Sequence, residues 1–338
     1  MARPTIKDIA KACDVSLSTV SLVLNNHPRI SPETRATVLA AVEKSGYHPN
    51  VFARSLASKS SQALGVVVPH LNHVFADVYF GEIVSGIYEA AVDIGYKVML
   101  DVANPKFIAS KEYLKLLKSR RVDGLLYIGS SVYDEFLLEL ETGPYPLLLV
   151  NHYFPGRKFN FIATDYAATG RIAAQHLLEL GHREIGVLAG TNTHTARDFQ
   201  KSFSETCAKA GLKTDAILWA DGWFTEQGGH EGAQWLLQRN PKLTAIMAGN
   251  DKMAIGAIRC LRELNKNIPG DISVMGVDDV PAAAFSVPGL TTVRHELYQI
   301  GRLAVEGILS VIKKQKPTSQ NILPAKLVVR ESTGRARR

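Results

Sequence analysis

From Leu64 onward one unit recurs: a short apolar run, then a stretch whose apolar positions keep the spacing of a helix. The first series of runs is LGVVVP (64–69), YKVMLDV (96–102), VDGLLYI (122–128) and PLLLV (146–150). A second follows: REIGVLAG (183–190), ILWAD (217–221), TAIMAG (244–249) and ISVMGV (272–277). Helical stretches at 109–119, 167–180, 226–239 and 252–265 lie between them. Continuous apolar strands that alternate with helices belong to parallel sheets covered on both faces. Two series therefore predict two doubly wound lobes. Ligands in such folds bind outside the carboxyl ends of the strands, and a cleft between two lobes faces both sets of ends. The pattern suits a solute-binding clamp and an enzyme equally.

The N-terminal stretch TIKDIAKACDVSLSTVSLVL (5–24) has a different period. Thr5 can cap a first helix, with Asp8 three residues on to answer it. Ile6, Ile9 and Ala10 form its buried stripe. Cys13-Asp14-Val15 makes a turn, and Ser16 caps a second helix that buries Val20, Val23 and Leu24. The opposite face offers Leu17, Ser18, Ser21 and Leu22. In a helix-turn-helix, the start of the second helix reaches base edges in the major groove. Ser31-Pro32-Glu33 opens a third helix with Val38, Ala41, Val42 and Ser45 on one face, and Gly46 closes it. Residues 1–60 carry eight Lys/Arg against four Asp/Glu, and the remaining 278 carry 31 against 28. More than half of the net +7 thus sits in a small helical module, which supplies attraction to phosphate. An ordinary helical hairpin explains residues 5–24 but not the third helix and the charge.

A chain of 338 residues is long enough for two or three domains. Neither an apolar signal-peptide core nor a run of about 18 apolar residues is present, so a cytoplasmic protein with no membrane partner is expected. Cys13, Cys207 and Cys260 are odd in number and widely spaced, which suits a reducing compartment. His70 and His73 have no Cys/His company, so neither a metal nor a cofactor is expected. No nucleophile elbow, triad pattern or full dinucleotide fingerprint accompanies them, so an enzyme is not expected.

TIKDIAKACDVSLSTVSLVLN, SPETR and GYHPNVFARSLAS resemble the start of LacI/GalR-type (lactose-repressor/purine-repressor) transcription factors, and the resemblance continues almost to the C-terminus. It implies an N-terminal all-α helix-turn-helix DNA-binding domain and an α/β periplasmic-binding-protein-like core of two doubly wound lobes. The helix-turn-helix should occupy 1–48, a hinge helix and linker 49–61, and the core 62–333. The core chain should cross between lobes near Asn160, Leu290 and Asn321. This assigns 62–160 and 291–320 to one lobe and 161–290 and 321–333 to the other, with 334–338 a frayed basic tail.

The resemblance also implies residue roles. Leu17, Ser18 and Leu22 face the bases, and Leu22 departs from the basic residue that many members carry there. Ser16, Thr19, Ser21 and Asn25 suit phosphates by their short donors, as do Thr5, Ser31 and Thr34 at the other helix starts. Asn50 opens a hinge helix through Ala53, Arg54, Leu56 and Ala57, in which Leu56 wedges into the minor groove at the operator centre. The implied effector positions are Phe75, Asn151, Asp165, Arg197, Trp223, Asn250 and Asp278, with Asn151 replacing a more usual aspartate. The expected protein is a repressor on a pseudo-palindromic double-stranded operator. It acts as a homodimer, controlled by a small-molecule effector such as a sugar or sugar derivative. A nucleobase or other metabolite fits the same residues. A solute-binding protein without DNA function would need a signal peptide and no helix-turn-helix.

Overall fold

Asp8 begins the fold as its spacing requires: its carboxylate accepts from the Thr5 N–H at 2.8 Å and the Thr5 hydroxyl at 2.7 Å. This computed structural model describes residues 4–24, 27–47, 60–129, 134–190, 193–213, 217–314 and 320–337. The chain divides after Gln62 into two units.

The first unit packs α1 (Ile6–Ala12), α2 (Leu17–Leu24) and α3 (Pro32–Ser45) around Ile9, Ala10, Val20, Val23 and Val38. Asp14, at φ 50°, makes the turn between α1 and α2. Ser31 caps α3 by accepting from the Thr34 N–H at 3.2 Å, and Gly46 ends it at φ +64°, a left-handed conformation that favours glycine.

In the second unit, sheet 1 contains β1 (Ala63–Pro69), β2 (Lys97–Ala103), β3 (Gly124–Ile128), β4 (Leu147–Val150) and β5 (Asn160–Thr164). Sheet 2 contains β6 (Ile185–Ala189), β7 (Leu218–Asp221), β8 (Ala245–Ala248), β9 (Ser273–Asp278) and β10 (Thr291–Arg294). The late strand β11 (Gln320–Leu323) joins sheet 1, and β12 (Lys326–Val328) joins sheet 2. The orders are β11-β5-β4-β3-β1-β2 and β12-β10-β9-β8-β6-β7. All pairings are parallel except β10 with β12. Both sheets thus share the 2-1-3-4-5 winding, which leaves a crevice beside the first strand of each.

Sheet 1 is covered on one face by α4 (Val78–Asp93) and α12 (Leu297–Ile312). Its other face carries α5 (Pro105–Ala109), α6 (Glu112–Lys118) and a 3-10 segment at Asp134–Leu140. The helix expected at 109–119 is α6, and Lys111 (φ 52°) separates it from the short α5 that precedes it. Sheet 2 lies between the pair α7 (Tyr166–Glu179) and α8 (His194–Lys209) and the pair α9 (Glu226–Arg239) and α10 (Asp251–Glu263). The short α11 (Pro281–Phe285) follows β9. Three helix pairs meet backbone to backbone, one of them α7 and α8 at Gly170 against Phe199. A Cβ on Gly86 would run into the Tyr298 carbonyl and one on Gly301 into that of Ile83, while Gly256 and Gly229 do the same between α9 and α10.

The chain leaves sheet 1 after Thr164, returns after Arg294 and leaves again after Leu323, a few residues beyond Asn160, Leu290 and Asn321. Each strand stays paired in its own sheet to its end: Asn160–Ile162 with β4 and Phe161–Thr164 with β11, Thr291–Arg294 with β9, and Gln320–Leu323 with β5. Thr291–Arg294 thus belongs to sheet 2, not to the first lobe. The basic tail is also docked over its described part. Gly334 donates to Ser273 at 3.0 Å, and the Ala336 N–H reaches the Leu180 carbonyl at 2.9 Å. Among the described residues no helix is long and apolar enough to cross a membrane.

Candidate functional site

On α2 the Ser16 hydroxyl accepts from the Thr19 N–H at 3.0 Å and touches the hydroxyls of Ser18 (2.7 Å) and Thr19 (2.8 Å). A cap and a polar cluster therefore sit where the helix begins. Leu17 and Ser18 are exposed, whereas Ser21 and Leu22 are half-buried beside Val20 and Val23. At the start of α3, Ser31 and Thr34 are joined hydroxyl to hydroxyl at 2.9 Å. The Thr5 hydroxyl and amide hold the exposed Asp8 carboxyl below its usual range. Asn25, Asn50, Ala53, Arg54, Leu56 and Ala57 lie outside the described residues.

In the second unit a cavity of about 320 Å³ opens at the carboxyl ends of both sheets. Sheet 1 contributes Leu71 and Asn72 beyond β1, Gly129 beyond β3 and Asn151 beyond β4. Sheet 2 contributes Gly190 beyond β6, Trp223 to Thr225 beyond β7, Asn250 beyond β8 and Asp278 at the end of β9. Volume and placement are those of a small-molecule site at the switch points of two wound sheets. Asn151, Trp223, Phe224 and Asp278 all have positive φ. Such conformations cost energy in non-glycine residues and concentrate at ligand sites. Around Asp278 the surroundings hold the strained turn. Asp279 pairs with Arg294 and Arg330, each at 2.7 Å, and buried Asp251 accepts from the Val280 N–H at 2.8 Å.

Asn151, Trp223, Asn250 and Asp278 thus come together, whereas three other expected effector residues do not line this cavity. Phe75 sits on a 3-10 turn at 58% exposure, and Tyr79 and Phe80 supply the aromatic wall from that segment. Asp165 is spent as the cap of α7, accepting from the Ala168 N–H at 2.7 Å, and Tyr166 faces the cavity instead. Arg197 lines a neighbouring depression with Glu135, Phe154, Arg157 and His194. On α8 the residues turned to the cavity are Thr195, Ala196, Phe199 and Gln200. The local signal for Tyr79 and Phe80 was Asp77, a cap directly before them, which accepts from the Tyr79 N–H at 3.0 Å.

The lobes also touch across the cleft. Lys252 on α10 donates to Asp77 at 2.9 Å, and the Tyr153 hydroxyl donates to Asp198. The Asn151 amide donates to the Tyr79 hydroxyl at 2.8 Å, and the Tyr79 and Tyr166 hydroxyls lie 3.5 Å apart. Burial, then the Asp278 charge, raises the pKa of Tyr79; burial, then Tyr79 and Asp278, raises that of Tyr166. Both therefore remain hydroxyl donors.

His152, beyond Asn151, is 1% exposed, with its ring 4.9 Å from that of Phe154. Burial, reinforced by His194, pushes it from 6.5 down to about 4. The unfolded chain takes this proton as pH falls below 6.5, but the folded chain does so only near 4. The contribution of neutral His152 to stability is therefore complete above 6.5 and lost on the way down to about 4. For one proton the slope is ~1.4 kcal/mol per pH unit. His152→Gln is expected to remove that slope from urea unfolding measured across the window; an unchanged slope would refute the assignment.

A helix-turn-helix unit followed by a two-lobed clamp with a ligand-sized cleft defines a DNA-binding regulator controlled by a small molecule. Models of two families match the chain: bacterial regulatory proteins of the lacI family over residues 5–50, and periplasmic binding protein-like domains over 174–333. The HTH-type transcriptional regulator DegA of Bacillus subtilis (strain 168) is 33% identical over 98% of this chain and 98% of its own. The Lac repressor dimer bound to operator and the anti-inducer ONPF matches with a TM-score of 0.88 at 28% identity, covering 98% of this chain and 100% of that one. A complex of the transcriptional regulator CelR with cellobiose matches at 0.74 and 27% identity, with the same coverage. The chain belongs to the LacI family of bacterial transcriptional regulators.

Proposed function

We propose that this regulator is a cytoplasmic repressor, acting as a homodimer, and that a sugar or sugar derivative in the cleft sets its operator affinity. The cavity carries the proposal. Gln200 and Asp278 offer hydrogen bonds to hydroxyls, and Trp223 offers a flat apolar face. The CelR–cellobiose complex supports a sugar as the effector. The chain binds its effector without transforming it. Because both lobes line the cavity, a ligand that prefers one lobe arrangement shifts the DNA equilibrium by its differential affinity.

Leu17 and Ser18 read major-groove bases from the exposed start of α2, joined by Leu22, and Leu56 enters the minor groove between two subunits. Dimerisation is supported by an apolar edge. Strand β2 exposes Met99 and Leu100, and nearby Tyr88, Val92 and Ile94 are exposed on or just beyond α4. An edge strand with such residues invites pairing, and a two-fold pair matches a pseudo-palindrome. Operator titrations with and without a panel of mono- and disaccharides test the reading. At least one sugar is expected to shift operator affinity by roughly 5–150-fold. If none does, the sugar reading is wrong.

A further inference from the structure

We infer that the cleft is a charge filter: it admits an uncharged polyhydroxylated ligand and excludes the phosphorylated or carboxylated forms of the same compound. This deepens the sugar reading and rests on it.

Among the described residues, the charged ones lining the cavity are Asp77, Lys252 and Asp278. Lys252 is matched by Asp77 at 2.9 Å. Asp278 lies 3.1 Å from buried His295. Whichever protonation His295 holds, the lining is neutral or one charge negative. The guanidinium expected from Arg197 lies in the neighbouring depression, and α8 turns Phe199 into the cavity instead. An anion entering here leaves water and meets no unmatched cation among the described residues, a strongly unfavourable exchange.

The helix dipoles act in the opposite sense. Five helices, α4, α7, α8, α9 and α10, begin at or beside the cavity, and helix N-termini attract anions. Each, however, is already capped. Asp77 accepts from Tyr79 N–H, Asp165 from Ala168, Thr193 from Ala196, Thr225 from Gly228 and Asn250 from Met253, at 2.7–3.0 Å. Two of these caps are carboxylates that offset the dipole they cover. A phosphate would have to displace a cap that is part of the fold. Neutral hydroxyls require no such exchange. They can bond Gln200 and Asp278 while the ring faces rest on Trp223, Phe224 and Phe199.

The test is calorimetry on the full chain with matched sets of ligands. Each neutral pentose, hexose or disaccharide is compared with its phosphate ester and its uronic or aldonic acid. In every set that binds, the neutral member is expected to be tighter by about a hundredfold. An anionic member that binds as tightly as its parent overturns the filter and leaves the sugar reading standing. Silence across every set overturns the sugar reading, and the filter with it. Phe199→Arg, placing a guanidinium on the cavity face of α8, is expected to narrow the preference toward the anions. Phe199 also packs in the lobe core, so the matched sets on the native chain are the deciding measurement.

Discussion

Gly86→Ala is expected to destabilise the first lobe by ~1–3 kcal/mol, the usual cost of overpacking. The same substitution one turn and a half earlier, Gly81→Ala, is expected to stabilise it by up to about 1 kcal/mol. Both glycines are on α4, so helix propensity favours alanine at each. They differ in surroundings. A Cβ at Gly81 meets nothing within 4 Å, whereas one at Gly86 strikes the backbone carbonyl of Tyr298 on α12. A side chain could rotate aside, but backbone cannot without moving α12 off the layer that holds Ile300, Ala304 and Ile308 in the core. Urea midpoints of the two variants should therefore shift in opposite directions. A shift of the same sign in both would mean that the α4–α12 contact is looser than the geometry requires.

Leu56→Ala is expected to weaken operator binding roughly 10–100-fold at fixed salt, because withdrawing a buried leucine forfeits ~1.5–3 kcal/mol. Effector affinity should be unchanged. Leu56 lies outside the described residues, and its role follows from the resemblance of NVFARSLAS to the family's hinge. Salt must be held constant, since phosphate contacts made elsewhere respond to it strongly. Unchanged operator affinity would show that the wedge lies elsewhere; loss of effector binding as well would indicate a structural role for Leu56.

The long apolar runs were legible because a buried parallel strand must be apolar along its whole length. Val66 to Val68, Leu147 to Val150 and Val274 to Val277 announce themselves in this way. The strands at the crossings were not, because TTVR, QNIL and KLV are short and include exposed or polar residues. Their sheet is decided by partners far away in sequence, which no local pattern records. The cleft divided along the same line. Asn151, Asn250 and Asp278 stand at or just beyond the ends of legible strands, and winding alone brings them to the cavity. Arg197 depended on rotation about a helix axis. Two residues from Thr195 it points ~200° away, and a motif match fixes position along the chain but not helical phase. Asp165 was recognised as polar and near the cleft, but a cap spends its carboxylate on its own helix.

The three crossings make the two junctions of this chain unlike each other. Residues 1–62 contribute no strand to either sheet among the described residues, and the second unit begins with β1 complete. A single cut near residue 62 therefore yields a sensor with both sheets entire, in which effector binding can be measured without the DNA-binding unit. No single cut separates the lobes, because two further peptide connections always remain. The reader is detachable and exchangeable, whereas the two halves of the sensor can be inherited, expressed and unfolded only together.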